Sequence, residues 1–323
     1  MVSGRAIPKA IVGDVGGTNC RFSLAEKNSL GTIELHHTQI YPVKEYTSFY
    51  DAMAAYIADI GETPPSAAFA FAGPKFDDEI RMTNADWQVS EKTLRSKFNL
   101  ERAVLLNDFV AMANGARIIP DDGFQIICGG KVNYSEPVTV LGPGTGLGLA
   151  LIVPGIPVRI IPTEGGHRAF SPETDEDRAI CDYLRRSMTY ISCETLLCGR
   201  GLYRIYQALC EIHGEVPLCT KQEEIVAAGE ANPKSIARKT VRTFNNILGA
   251  FAANTALTHG ASGGVVIAGG VSRHIAPYIA ESDFEERFKD RGHGSWFVKD
   301  IPVRLMLAKY VALYGAADLI LGG

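Results

Sequence analysis

The sequence predicts an α/β fold laid out in two similarly organised parts, and three observations predict it. Stretches 10–25 and 138–153 each run from an apolar strand into a glycine-rich tip and out along a second strand. Further apolar strands at 66–72, 102–106 and 265–267 alternate with helical stretches, the pattern of crossover connections. At 323 residues and 46% hydrophobic composition the chain has material for about two cores.

The elements follow in order. Strands are predicted at 9–13, 19–25 and 32–40, a helix at 47–60 and a strand at 66–72. A helix at 90–98, with Ser90 as N-cap, precedes a strand at 102–106 and a helix from Asp108 to about Ile118. The stretch 119–137, rich in Pro, Gly and Asp, reads as a crossing between domains. Beyond the second glycine tip come a strand near 157–161 and helices at 173–189, 194–213 and 220–230. In 233–258, Ala237, Val241, Phe244, Leu248, Phe251 and Thr255 recur at spacings of four and three, a helical core stripe. A strand at 301–307 and a helix at 311–321 end the chain.

Composition excludes several classes. The net charge is −4 with Lys and Arg scattered, so no basic stripe offers itself to nucleic acid. No apolar run approaches the roughly 18 residues of a membrane span, and residues 1–9 lack the apolar region of a secretory signal. Seven cysteines, an odd count without a C-x-x-C pair, read as free thiols of a reducing cytoplasm. A zinc site from Cys193 and Cys198 is disfavoured.

The chemistry-bearing residues cluster at turns. Asp14 ends the first strand, and Gly16 and Gly17 follow without β-carbons, so backbone N–H groups can approach a phosphate closely. Thr18 and Asn19 add donors, and Asp14 is placed to hold a hydrated Mg²⁺; the bland alternative is an ordinary β-turn. The second tip carries Gly142, Gly144, Thr145, Gly146 and Gly148. Neither tip is a Walker A loop or a dinucleotide fingerprint: Gly130-Lys131 lacks the upstream Gly, and Leu147 or Leu149 stands where G-x-G-x-x-G needs its last Gly. Gly269 and Gly270 end a third apolar strand, either as a strand-to-helix turn or against a ligand. Asn107 and Asp108 end the 102–106 strand; they read as a helix cap or as an amide and carboxylate for a pair of sugar hydroxyls. Glu164 and His167 flank a Gly pair. Glu194 is a helix first-turn acid in the simplest reading, and 82–87 a turn anchored by Trp87.

In family order, Asp14-x-Gly16-Gly17-Thr18-Asn19-x-Arg21, Met82-Thr83-Asn84-x-x-Trp87, Asn107-Asp108-Phe109, Gly144-Thr145-Gly146-Leu147-Gly148, Glu164-Gly165-Gly166-His167 and Ala268-Gly269-Gly270 resemble the bacterial glucokinases of the hexokinase and actin-like ATPase superfamily. The resemblance implies two ribonuclease H-like α/β domains around a deep cleft, a small one of 1–118 plus 310–323 and a large one of 119–309. It implies ATP and Mg²⁺ as cofactors, glucose as substrate, a cytoplasmic homodimer, and domain closure on sugar binding. By position, Asp108 is the base for the 6-hydroxyl, and Asn107, Glu164, His167, Glu194 and Gly146 bind the rest of the sugar. Asp14 positions Mg²⁺ through water. Gly16, Gly17, Thr18, Asn19, Gly144, Thr145 and Gly146 grip the phosphates, and Gly269 and Gly270 approach the adenosine. Pro143, Pro162-Thr163 and Arg168 depart from the family pattern and bear on fine substrate preference. The Cys-rich zinc motif of the ROK sugar kinases is missing. A kinase for another hexose, a non-catalytic sugar or nucleotide sensor, and an actin-like ATPase stay open as alternatives.

Overall fold

Apolar runs buried on both faces form β1 (Lys9–Val15) and β2 (Asn19–Lys27), and the more exposed β3 (Ile33–Pro42) completes three antiparallel strands. These belong to a computed structural model that describes residues 8–73, 75–82 and 87–322. The expected turn at 82–87 therefore has its residues 83–86 outside the described ones. The chain divides into two compact units, Met1–Pro120 with Ala308–Gly323, and Asp121–Leu307.

In the first unit, helix α1 (Phe49–Ile60) starts where Ser48 accepts the Asp51 N–H and ends at Gly61 in the left-handed region. β4 (Ser66–Phe71) lies parallel to β1. A small separate sheet, β5 (Lys75–Phe76), β6 (Glu79–Arg81) and β7 (Gln88–Ser90), leads into α2 (Glu91–Phe98), capped by Ser90. β8 (Arg102–Asn107) then pairs parallel with β4, giving the order β3-β2-β1-β4-β8. Phe22, Phe49, Tyr56, Phe69, Phe71 and Trp87 pack one core under α1. On a second core, small residues (Ala10, Val12, Ala68) meet Leu313, Ala316 and Ala317 of the C-terminal helix, Val311–Leu321. That helix also lies against α3 (Asp108–Ile118).

The second unit repeats the plan. β9 (Phe124–Cys128) precedes the meander β10 (Val138–Pro143), β11 (Leu147–Val153) and β12 (Arg159–Thr163). Helices α4 (Asp175–Arg185), α5 (Cys193–Leu196), α6 (Gly199–His213), α7 (Gln222–Ala231) and α8 (Ile236–His259) follow. β13 (Gly264–Ile267), α9 (Gly270–Ile275), α10 (Phe284–Lys289), α11 (Ser295–Val298) and β14 (Val303–Met306) complete it. The sheet order is β12-β11-β10-β13-β14-β9, with β13 parallel to β10. The α8 stripe from Ala237 to Thr255 is buried along its whole length.

Three details differ from the sequence reading. The stretch 119–137 contains β9, whose Phe-Gln-Ile-Ile-Cys run closes the sheet edge antiparallel to β14. The helix expected over 194–213 is two helices. Cys198 caps α6 through its sulfur, which accepts the Gly201 N–H, and a Cβ on Gly201 would stand 2.1 Å from the Leu196 carbonyl oxygen. Short helical turns fill 276–298, where no element was expected. The seven cysteines are free and buried, and burial pushes the Cys20 thiol up to about 12.

An ion-pair network fastens α4 within this unit. Asp177, fully buried, accepts from Arg287 at 2.7 Å, while Glu173 accepts from both Arg287 and Arg291. Burial pushes the Glu173 carboxyl up, but the Arg291 and Arg287 guanidiniums overcome this and hold it below its ordinary 4.5. A depressed carboxyl favours the fold in its ionised form. Its contribution is full above the unfolded value and fades as pH falls through the folded one. Glu173→Gln is therefore expected to lower the melting temperature by roughly 2–4 °C at pH 7. The gap to the parent should shrink in scanning calorimetry as pH falls below 4.5; a gap that does not change with pH would contradict the assignment.

Candidate active site

In the first unit the carboxyl ends of the parallel strands β1, β4 and β8 come out level: Val15 pairs with Phe71, and Phe71 with Asn107. Two strand spacings, about 10 Å, thus separate the Gly16–Gly17–Thr18 tip from the Asn107–Asp108 junction on one sheet edge. Ligands of open α/β sheets bind at such edges. The tip is closed by the Gly16 N–H donating to the Asn19 carbonyl at 3.0 Å, and Thr18 and Asn19 are exposed.

Asp14 and Arg21 face each other across the hairpin, and the guanidinium donates to Asp14 Oδ2 at 2.9 Å. Burial pushes the Asp14 carboxyl up, against the charge of Arg21. Arg21 also lies over the Tyr310 ring at 5.7 Å. A single carboxylate beside a phosphate-binding turn is the donor set Mg²⁺ uses when it keeps its waters and takes phosphate oxygens for the rest. Among the described residues no group of three or more His, Cys, Asp or Glu could hold a metal ion by itself. The residues present fit a water-mediated Mg²⁺.

At the β8–α3 junction the cap falls on Asn107. Its Oδ1 accepts the Phe109 and Val110 N–H groups, and its Nδ2 reaches the Gly73 carbonyl at 3.5 Å. Asp108 is the first residue of α3, half-buried, and its Oδ1 accepts the Phe109 N–H at 2.9 Å. The capping reading of Asp108 thus passes to its neighbour.

In the second unit the β10–β11 turn places Gly144, Thr145 and Gly146 at the tip, with Pro143 opposite Leu147. The Gly144 N–H donates to the Gly146 carbonyl at 2.8 Å, and the Gly199 N–H to the Gly144 carbonyl at 2.9 Å. The N-terminus of α6 therefore abuts the tip, an anion-favouring position that sequence reasoning missed. The signal was present in Gly199 and Gly201 inside an otherwise helical stretch. Gly269 has φ +90°, and a Cβ there would stand 2.4 Å from the Pro143 carbonyl oxygen. The Ala268 N–H donates to the Leu141 carbonyl, so Gly269 lies beside the tip end of the same hairpin.

The turn Gly165–His167 follows β12 and presses on that hairpin, since a Cβ on Gly166 would lie 2.3 Å from the Leu147 carbonyl oxygen. His167 sits between two acids: Nε2 is 3.6 Å from Glu164 Oε2, and Nδ1 is 3.9 Å from Glu194 Oε1. Tyr190 holds the His167 carbonyl at 2.9 Å. Glu194, in the first turn of α5, accepts the Leu147 N–H on Oε2 at 2.7 Å. Arg168, one of the family departures, stacks over Phe251 at 5.0 Å.

Glycine-rich hairpin tips, a carboxylate opening a helix at a strand end, and a polar Glu–His–Glu cluster fit a sugar-kinase class of α/β protein. A solved glucokinase from an Antarctic psychrotroph superposes with a TM-score of 0.88 at 28% identity, covering 98% of this chain and 99% of that one. Glucokinases of Saccharophagus degradans and Hahella chejuensis are 37% and 36% identical, covering 95% and 96% of this chain and 96% of each relative. The family model for glucokinase matches residues 11–321, and the chain belongs to the glucokinase family. Among the described residues no helix is long and apolar enough to cross a membrane.

Proposed function

We propose that this chain transfers the γ-phosphoryl group of ATP to the 6-hydroxyl of D-glucose, releasing ADP and glucose 6-phosphate. The observation that carries the reading is the β8–α3 junction of a glucokinase-family chain, where Asn107 makes the helix cap and Asp108 opens α3 at the carboxyl end of β8. Asp108 aligns the 6-hydroxyl and accepts its proton as the new O–P bond forms and the bond to ADP breaks. Asn107, Glu164, His167, Glu194 and the Gly146 backbone hold the remaining hydroxyls.

Gly16, Gly17, Thr18, Asn19, Gly144, Thr145 and Gly146 supply donors to the phosphates, where charge grows in the transition state. Gly269 and Gly270 lie along the adenosine. Asp14 would hold Mg²⁺ through water, and the ion would neutralise the β and γ oxygens. The enzyme in this reading is a cytoplasmic homodimer, and sedimentation velocity would test the dimer.

The decisive experiment is ADP release against glucose, mannose, fructose and glucosamine, with the sugar product identified by mass spectrometry. Glucose as the fastest substrate, with one sugar 6-phosphate per ADP, is the expected result. ADP without sugar phosphate would make the chain an ATPase of another kind. Binding without ADP release would make it a sensor.

A further inference from the structure

We infer that Glu194 is a positioning residue for the phosphate-binding turn, and that sugar and nucleotide affinities are linked through its one carboxylate. Both halves of this inference rest on the function proposed above, which assigns the sugar cluster and the phosphate-binding turn. The two carboxylate oxygens face different tasks. Oε2 accepts the Leu147 N–H at 2.7 Å, the residue that closes the Gly144–Gly146 tip. Oε1 faces His167, in the cluster assigned to sugar hydroxyls. Gly146 makes room for this, because a Cβ there would stand 2.6 Å from Glu194 Oε2. Gly166 brings the sugar-side turn onto the same Leu147 backbone.

The side chain is one-third exposed and sits on a helix of only four residues. Its rotation is therefore fixed by what it binds more than by packing. A hydroxyl donated to Oε1 would fix the carboxylate with Oε2 on Leu147. The turn would then already be ordered when the triphosphate arrives, and ordering supplied by one ligand is ordering the next need not supply. Linkage requires the effect to be reciprocal. Glutamine cannot serve both tasks, since its amide has one acceptor oxygen and its other end donates.

The test is calorimetric titration of a non-hydrolysable ATP analogue with Mg²⁺, with and without saturating glucose. The parent should bind the analogue at least about fivefold more tightly with glucose. Glu194→Ala and Gly146→Ala should each bind it at least about fivefold more weakly in the absence of sugar, and Glu194→Gln, which keeps one acceptor for the Leu147 N–H, should lose the enhancement. Gly146→Ala keeps the carboxylate's charge and the tip's backbone donors but crowds the carboxylate's seat. Glu230→Gln, an exposed carboxylate on α7 outside both clusters, should keep the sugar-free affinity within about twofold.

Sugar-free affinity of Glu194→Ala equal to the parent's would confine Glu194 to sugar binding and overturn the inference. So would an enhancement by glucose that survives in Glu194→Gln and Gly146→Ala. Failure of the glucokinase reading would show elsewhere, as no glucose 6-phosphate from the parent enzyme.

Discussion

Asp108→Asn is expected to keep glucose affinity within about tenfold while turnover falls by at least about 10²-fold. The substitution is nearly isosteric and retains an oxygen at the Oδ1 position, where the Phe109 N–H now donates at 2.9 Å. The helix cap survives as well, because Asn107 makes it. What asparagine lacks is a site for the 6-hydroxyl proton. General base catalysis typically supplies about 10²–10⁴-fold, roughly 3–5 kcal/mol of barrier. Sugar binding uses several other donors and acceptors and should feel the change far less. Steady-state turnover and calorimetric glucose affinity separate the two effects. Near-normal turnover would remove Asp108 from the chemistry. Asn107→Ala is the contrasting case: loss of the cap should cost about 1 kcal/mol of stability whatever happens to the rate.

How far the site was legible depends on how local its determinants are. Both hairpin tips were readable because a glycine pair between apolar strands specifies a turn within a few residues. The α8 stripe was readable because helical periodicity is local too. The division of labour between Asn107 and Asp108 was not. Either side chain suits a cap, and the choice depends on whether the chain turns helical one residue sooner or later. Glu194 is indeed in a helix's first turn, as its neighbours suggested, yet its partner is the Leu147 N–H, 47 residues earlier. Nothing local encodes that pairing. β9 escaped for the same reason: five residues become a strand by meeting β14, more than 170 positions later. Arg21 stood inside the first motif, but its pairing with Asp14 came from the hairpin register.

Gly315→Val is expected to loosen the helix on which Asp108 stands, and with it the whole first unit. A Cβ at Gly315 would lie 1.8 Å from the Ala111 carbonyl oxygen and 2.6 Å from the Gly115 nitrogen. On the facing helix, a Cβ at Gly115 would lie 2.2 Å from the Val311 carbonyl oxygen. Backbone thus meets backbone across α3 and the C-terminal helix, and no rotamer change relieves a clash with a carbonyl. The helices must separate. Overpacking alone costs about 1–3 kcal/mol. Separation would also strip the buried Asn114 Nδ2 of the Gly315 carbonyl it donates to at 2.9 Å, adding about 1–3 kcal/mol. Melting should fall by roughly 10 °C or more. Hydrogen exchange should rise in 108–118 and 311–321 before it does in β1 and β4, because those two helices lose their packing first. Gly130→Ala, at a glycine with open space around it, should stay within about 0.5 kcal/mol of the parent. An unchanged melting temperature for Gly315→Val would mean that the helices do not approach this closely in solution. The first turn of α3 would then hold Asp108 in place without help from the chain's last helix.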